Sequence, residues 1–315
     1  MIGATGTIGQ ATVRALLRCG HQVICFIRKG SEFDSAGLPG LELRVGSVTD
    51  ARSVNSDGFR GEKFDIVVSC MASRSGSTED AWAIDHRAHI DVLDAALTVG
   101  VHQMILLSAI CVQKPRLAFQ HAKLAFEAAL IDSGITYSIV RPTAFFKSLS
   151  GQIERVKNGK PFLVFGDGTL TACKPVSDSD LANFLVDCIE NGAKHNRILP
   201  VGGPGPAITP KMQGEMLFGL LMMKPRFKHV PVGLLNVIIG ALDLAGSFIP
   251  AAARKADLAR IGRYYATESM LVFDSDSGQY DPDATPETGT ETLFDHYSRL
   301  VSGEIVFQRN EHSVF

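Results

Sequence analysis

Three glycines in the run Gly3-Ala4-Thr5-Gly6-Thr7-Ile8-Gly9 have the spacing that holds a dinucleotide pyrophosphate. Gly3 permits a tight strand-to-helix turn, Gly6 lets the backbone approach the phosphates, and Gly9 lets the helix pack close to the sheet. An anion held there, beside Thr5, Thr7 and Ile8, meets the N–H groups and positive dipole end of a helix. Arg28 and Lys29 close the next apolar run, where an NAD-binding fold carries an acidic residue for the adenosine ribose hydroxyls. Two cations suit a 2′-phosphate and predict NADPH; the plainer alternative is a solvated pair at a strand end. Ser47 and Val48, in the turn after residues 41–45, are expected to border the adenine, while Asp50 reads equally as a helix cap. Ala72 and Ser73 follow the strand at 64–70 and are small enough for close cofactor approach. Ser108 ends the strand at 103–108, facing the nicotinamide, and Pro142 ends another inner strand nearby.

Lys123 is the candidate catalytic residue, in the segment Phe119-Gln120-His121-Ala122-Lys123. Short-chain dehydrogenases often carry Tyr-x-x-x-Lys here: the tyrosine protonates the reduced carbonyl, and the lysine lowers its pKa and holds the nicotinamide ribose. This chain keeps the lysine and lacks the phenol, and a phenyl ring cannot donate a proton. Lys123 is expected to bind ribose hydroxyls, as its place in the motif favours, the plainer alternative being an ordinary exposed helix lysine. The chain then either performs a different reduction or binds NADPH without turning it over. Phe145-Phe146-Lys147 sets an aromatic pair beside a cation, suited to a flat hydrophobic acid, though such pairs also serve as core packing.

The elements that must position these residues form an α/β fold, a doubly wound Rossmann-type parallel sheet with a smaller C-terminal substrate region. The expected division is residues 1–150 for NADPH and 151–315 for substrate, with 197–203 returning to the sheet. Residues 82–100 read as a helix with Ile84, Ala88, Val92 and Ala95 among its apolar positions. Only Met1-Ile2 precede the first glycine, so either the sequence is clipped or the first strand is a stub; a clipped start with a few β-branched residues upstream is expected. Residues 230–250 are apolar but include prolines, Asn236 and Asp243; a buried helix is expected there, a greasy lid or shallow membrane contact being the sharper alternatives. Leu293, Phe294, Tyr297, Leu300 and Val301 suggest a last amphipathic helix. A chain of 315 residues can bury a large core, and a net charge of −2 supplies no basic field for nucleic acid. Six scattered cysteines without a C-x-x-C pair point to reduced thiols in a cytosol-like compartment and to no metal site. No secretory or transit signal precedes the glycine turn, although a clipped start can hide one.

Several long blocks carry a resemblance. They are Val68-Ser69-Cys70-Met71-Ala72-Ser73-Arg74-Ser75-Gly76, Leu107-Ser108-Ala109-Ile110-Cys111-Val112-Gln113-Lys114-Pro115 and Tyr137-Ser138-Ile139-Val140-Arg141-Pro142-Thr143-Ala144-Phe145-Phe146-Lys147-Ser148-Leu149. Further on come Phe165-Gly166-Asp167-Gly168, Cys173-Lys174-Pro175, Gly202-Gly203-Pro204-Gly205 and Ile261-Gly262-Arg263-Tyr264-Tyr265-Ala266-Thr267-Glu268. Through them the chain resembles the NADPH-dependent divinyl chlorophyllide 8-vinyl reductases of phototrophs, in the atypical, NmrA-like branch of the short-chain dehydrogenases. The resemblance implies reduction of the 8-vinyl group of a magnesium porphyrinoid to ethyl. A conjugated vinyl group accepts hydride at its terminal carbon and then a proton, so no carbonyl-protonating tyrosine is needed. Lys123, Lys147, His121, Cys111, Tyr137 or solvent can give that proton, with Lys123, directly or through water, preferred. Phe145 and Phe146 would face the pigment, and Lys147 or Lys174 its propionate. Magnesium would travel with the pigment, with His121 an axial ligand or an ordinary histidine. The resemblance implies the cytoplasm of a bacterial phototroph, or a chloroplast given a transit peptide upstream. An NmrA-like NADPH-sensing regulator without catalysis and a reductase of another conjugated C=C bond, in the manner of isoflavone reductases, are the competing readings.

Overall fold

A computed structural model of the chain describes residues 1–35 and 37–305. Its strands are, in chain order, β1 (Val23–Arg28), β2 (Leu41–Gly46), β3 (Ile66–Ser69), β4 (Gln103–Leu107), β5 (Thr136–Pro142), β6 (Phe162–Phe165), β7 (Arg197–Val201), β8 (Phe227–Val230), β9 (Val272–Asp274) and β10 (Gln279–Asp281). The chain divides into two compact units, one of residues 1–73, 78–142 and 178–200, the other of 74–77, 143–177 and 201 onward.

The first unit is built on parallel pairing of β1 with β2, β3 with β4, and β4 with β5, with β7 beyond β5. Ile2 bridges in parallel to both Phe26 and Ser69, so one residue stands in for a first strand and joins the two halves. The resulting order is β2-β1-Ile2-β3-β4-β5-β7: the chain travels outward from Ile2 to β2 and crosses back to β3, so the glycine turn after Ile2 lies at the switch point of the sheet. All five residues of β4 are buried, as a central parallel strand covered on both faces requires. Against it pack Val92 and Leu93 from the helix His89–Thr98 and Phe126 and Leu130 from the helix Ala118–Asp132. The helix expected over 82–100 begins earlier, at Thr78, and is wound in wide π-type turns over Trp82–Ala88 before becoming regular.

The boundary expected at residue 150 falls at Pro142 instead, and the first unit takes back residues 178–200. The helix Asp178–Glu190 buries Leu181, Ala182, Leu185 and Cys188, and the Gln103 side-chain amide donates to the Cys188 carbonyl at 2.8 Å. Burial outweighs proximity in sequence.

In the second unit β6 and β8 pair in parallel, and Phe162, Phe218 and Phe227 meet edge to face, with centroids 6.2 and 5.9 Å apart. Gly214 makes room for the Phe227 ring, which a Cβ there would meet at 2.4 Å. The amphipathic helix Leu293–Ser302 buries Tyr297, whose hydroxyl donates to the Leu149 carbonyl at 2.6 Å. One expectation fails here. The helix Val232–Gly246 buries none of its residues; Val237, Leu244 and the following Phe248 are 70, 73 and 85% exposed. It packs against the helix Pro250–Thr267, with Gly246 close to Ala253 and Arg260 paired to Asp243 at 2.6 Å, and the rest of its apolar surface faces solvent. No helix among the described residues is long and apolar enough to cross a membrane.

Candidate functional site

The glycine turn is held together by its own backbone. Gly3 has φ +74°, a left-handed conformation that other residues adopt at a cost, and a Cβ there would lie 2.4 Å from the backbone between Cys70 and Met71. A Cβ on Gly9 would come 2.1 Å from the Gly3 carbonyl oxygen, so helix and turn touch backbone to backbone. Gly6 differs. It is exposed, its φ of −75° suits any residue, and its nearest neighbour to a Cβ is 3.6 Å away. The chain's own packing does not demand a glycine at that position, and the space in front of it is open. Gly6 is also the N-cap of the helix Thr7–Arg18 and has no side chain to compete for the first-turn N–H groups. An exposed helix start with no side-chain cap on its first-turn amides is suited to an anion such as a pyrophosphate.

Because the paired strands run parallel, their carboxyl ends share one edge of the sheet. Gly3 follows Ile2, Arg28 ends β1, Ser47 and Val48 follow β2, Ala72 and Ser73 follow β3, Ser108 follows β4, and Pro142 ends β5. Arg28 and Lys29 are exposed, Val48 and Pro142 buried, Ala72 exposed and Ser73 half-buried. The Ser47 hydroxyl lies 3.0 Å from that of Thr49, and Asp50 caps the next turn by accepting from the Arg52 N–H at 3.0 Å.

Lys123 lies on the helix Ala118–Asp132 with its side chain about one-tenth exposed, and its Nζ is 2.9 Å from Asp85 Oδ1. The same oxygen accepts the Ser73 N–H at 3.3 Å, while Asp85 Oδ2 is buried without a partner. Asp85 projects from the wide-wound turn, and His89 follows four residues later. Burial, reinforced by the Lys123 ammonium, pushes the His89 imidazole down to about 4 and keeps it neutral near pH 7. Its Nδ1 then donates to the Ile84 carbonyl and its Nε2 accepts from the Ser69 hydroxyl, both at 2.8 Å.

Ser108 is buried, and its hydroxyl donates to Glu127, itself paired with Arg141. Glu127 is one turn beyond Lys123 on the same helix face. Among the other proton-donor candidates His121 is exposed and Cys111 buried. Sequence reasoning missed Asp85, His89, Glu127 and Arg141. The available signal was a carboxylate, Asp85, set among Ala81, Ala88 and Val92 at helical spacing, where a solvated side chain does not belong.

Phe145, Phe146 and Lys147 belong to the second unit. Phe146 is 2% exposed and its ring centroid is 5.2 Å from that of His296, which makes it a core side chain, not an open platform. Phe145 and Lys147 are half-buried. Lys174 is buried and committed, with its Nζ 2.9 Å from Glu287 and 3.3 Å from the Thr285 carbonyl, and so is not free to meet a propionate.

A family model described as NAD(P)H-binding matches residues 3–192. The chain is 46% identical over 327 residues to the chloroplastic divinyl chlorophyllide a 8-vinyl-reductase of Oryza sativa subsp. indica, covering 99% of this chain and 81% of that one. It is 47% identical over 330 residues to the protein of the same name from Cucumis sativus, covering 100% and 79%. Among solved structures, the NADPH-dependent quinone oxidoreductase QOR2 from Escherichia coli, complexed with NADPH, superposes with a TM-score of 0.68 over 95% of this chain and 98% of that one, at 18% identity, a likeness of fold. A glycine turn at a helix start, a buried lysine without its tyrosine and near-full-length identity agree: the chain belongs to the divinyl chlorophyllide a 8-vinyl-reductases, within the NAD(P)H-binding proteins.

Proposed function

We propose that this protein reduces the 8-vinyl group of a divinyl chlorophyllide, or a related magnesium porphyrinoid, to ethyl, with NADPH as reductant. The observation that carries the reading is the near-full-length identity to named 8-vinyl-reductases in a chain that keeps Lys123 and has Phe119 where a carbonyl reductase needs a phenol. When bound, the reduced nicotinamide supplies a hydride to the terminal vinyl carbon, and a proton on the neighbouring carbon completes the ethyl group. Gly3, Thr5, Gly6, Thr7, Ile8 and Gly9 hold the pyrophosphate. Arg28 and Lys29 meet the 2′-phosphate and select NADPH over NADH, as two exposed cations at the end of β1 support. Ser47 and Val48 border the adenine, and Ala72, Ser73, Ser108 and Pro142 line the edge on which the nicotinamide lies. Lys123 holds the ribose hydroxyls and delivers the proton directly or through water. Phe145 and Lys147, both half-buried, are assigned to the pigment, Lys147 to its propionate, on the pairing of an aromatic ring with a cation.

The exposed helix Val232–Gly246 supports a peripheral membrane contact. Its 15 residues rise about 22 Å, short of a hydrocarbon core of about 30 Å, so it lies in the interface. Exposed Lys224, Arg226, Lys228, Arg254 and Lys255 flank it and suit anionic headgroups. The compartment is the one in which the pigment is made, bacterial cytoplasm or chloroplast.

Incubation with NADPH and divinyl chlorophyllide, followed through the Soret band, tests the reading. A blue shift with matching NADPH oxidation is expected. Reduction of phenylpropanoids alone would favour an isoflavone-reductase-like enzyme, and cofactor binding with no turnover a regulator.

A further inference from the structure

Asp85 and Lys123 are 38 positions apart in the sequence, and both are removed from water, the carboxylate completely. A buried ion pair is weak support for stability, because desolvating two charges costs about what their attraction returns. This pair is poorer than most for that purpose. Asp85 Oδ2 lacks any partner, and an orphaned buried acceptor is itself destabilising. What the arrangement does provide is position. Asp85 Oδ1 is held by the Ser73 N–H in the segment after β3 and holds the Lys123 ammonium in turn. The carboxylate is carried inward by the wide winding of Trp82–Ala88, which departs from a regular helix just where Asp85 falls. His89, about one turn further on, is tied to Ser69 and the Ile84 carbonyl and anchors that segment.

We propose that Asp85 is a positioning residue that ties the Lys123 ammonium to the segment after β3 and so fixes where Lys123 presents itself to the nicotinamide-side ribose hydroxyls. Asp85 acts through Lys123 and does not touch the cofactor, since both its oxygens are enclosed by the protein. The inference rests on the reading of Lys123 as the ribose-holding residue.

Calorimetric titration with NADPH and with 2′,5′-ADP, which lacks the nicotinamide half, tests it on the full chain. Asp85→Asn and Asp85→Glu are each expected to weaken NADPH about tenfold, the loss of one hydrogen bond to a charged group, and to leave 2′,5′-ADP unchanged. Asp85→Glu keeps the charge but shifts the ammonium by one methylene, so a role in neutralising Lys123 alone predicts near-normal affinity and that result overturns the proposal. Asp85→Asn combined with Lys123→Met should bind NADPH no more weakly than Lys123→Met, because one residue acts through the other. Equal weakening of both ligands would mark a merely structural carboxylate and overturn the proposal too. Normal NADPH binding by Asp85→Asn, with Lys123→Met impaired, defeats the proposal and spares the reading of Lys123; normal binding by Lys123→Met removes both.

Discussion

Gly6→Ala and Gly9→Ala, three residues apart in one turn, should fail in opposite ways. At Gly9 the added methyl would come 2.1 Å from the Gly3 carbonyl oxygen and 2.9 Å from Ala4 Cα, so helix and turn must separate by roughly 1 Å. Overpacking of this kind costs about 1–3 kcal/mol, and a backbone oxygen that cannot swing aside puts Gly9→Ala at the upper end. At about 2–4 °C per kcal/mol for a unit of this size, the melting temperature should fall by about 6–12 °C, with NADPH affinity lost as well. At Gly6 the nearest atom is 3.6 Å away and φ is −75°. Alanine there loses a few tenths to about 1 kcal/mol as a poorer N-cap and recovers about 0.4–1 kcal/mol by restricting the unfolded chain, a balance near zero. Its methyl, however, stands where the proposed function brings the phosphates. Loss of one amide–phosphate bond, about 1.5–3 kcal/mol, predicts about 10- to 100-fold weaker NADPH at unchanged melting temperature. Differential scanning fluorimetry and calorimetric titration on the two variants make the comparison. Native-like NADPH affinity in Gly6→Ala, or an unaltered melting temperature in Gly9→Ala, would refute the account of the turn.

Arg28→Glu should weaken NADPH by about tenfold or more and NADH much less, in paired titrations; equal losses would return Arg28 to the ordinary surface cations. Val237→Glu with Leu244→Glu, both at exposed positions, should leave circular dichroism unchanged and abolish co-sedimentation with anionic vesicles, and persistent sedimentation would exclude this helix as the contact. His89 supplies a pH dependence. Its pKa is depressed on folding from 6.5 to about 4, so its contribution is intact above about 6.5 and is lost as pH falls toward 4, by up to about 3 kcal/mol. Urea midpoints measured from pH 7 to 4 should fall more steeply in the unmodified protein than in His89→Gln, and parallel slopes would contradict a buried neutral imidazole.

Much of the fold was legible because its signals are local. The glycine spacing, the apolar runs that became β1 to β5 and the residues just past each strand's carboxyl end needed only the short-range rules of turns and strands. Met1-Ile2 admitted either a clipped start or a stub, and nothing local said that Ile2 would bridge to both Phe26 and Ser69. Legibility ended where a residue's role depends on what covers it. Phe146 and Val237 both look hydrophobic in sequence; one is 2% and the other 70% exposed. Lys174 looked as available as any cation until Glu287, 113 residues on, proved to be its partner.

By itself, then, the sequence determined the glycine turn, the parallel α/β order and the absence of a phenol four residues before Lys123. Only tertiary structure decided that Asp85 meets Lys123, that Glu127 accepts the hydrogen bond of the Ser108 hydroxyl and that an apolar helix stays uncovered. The reason is range: backbone preferences act over a few residues, whereas burial and charge pairing depend on neighbours that the chain brings together only by folding.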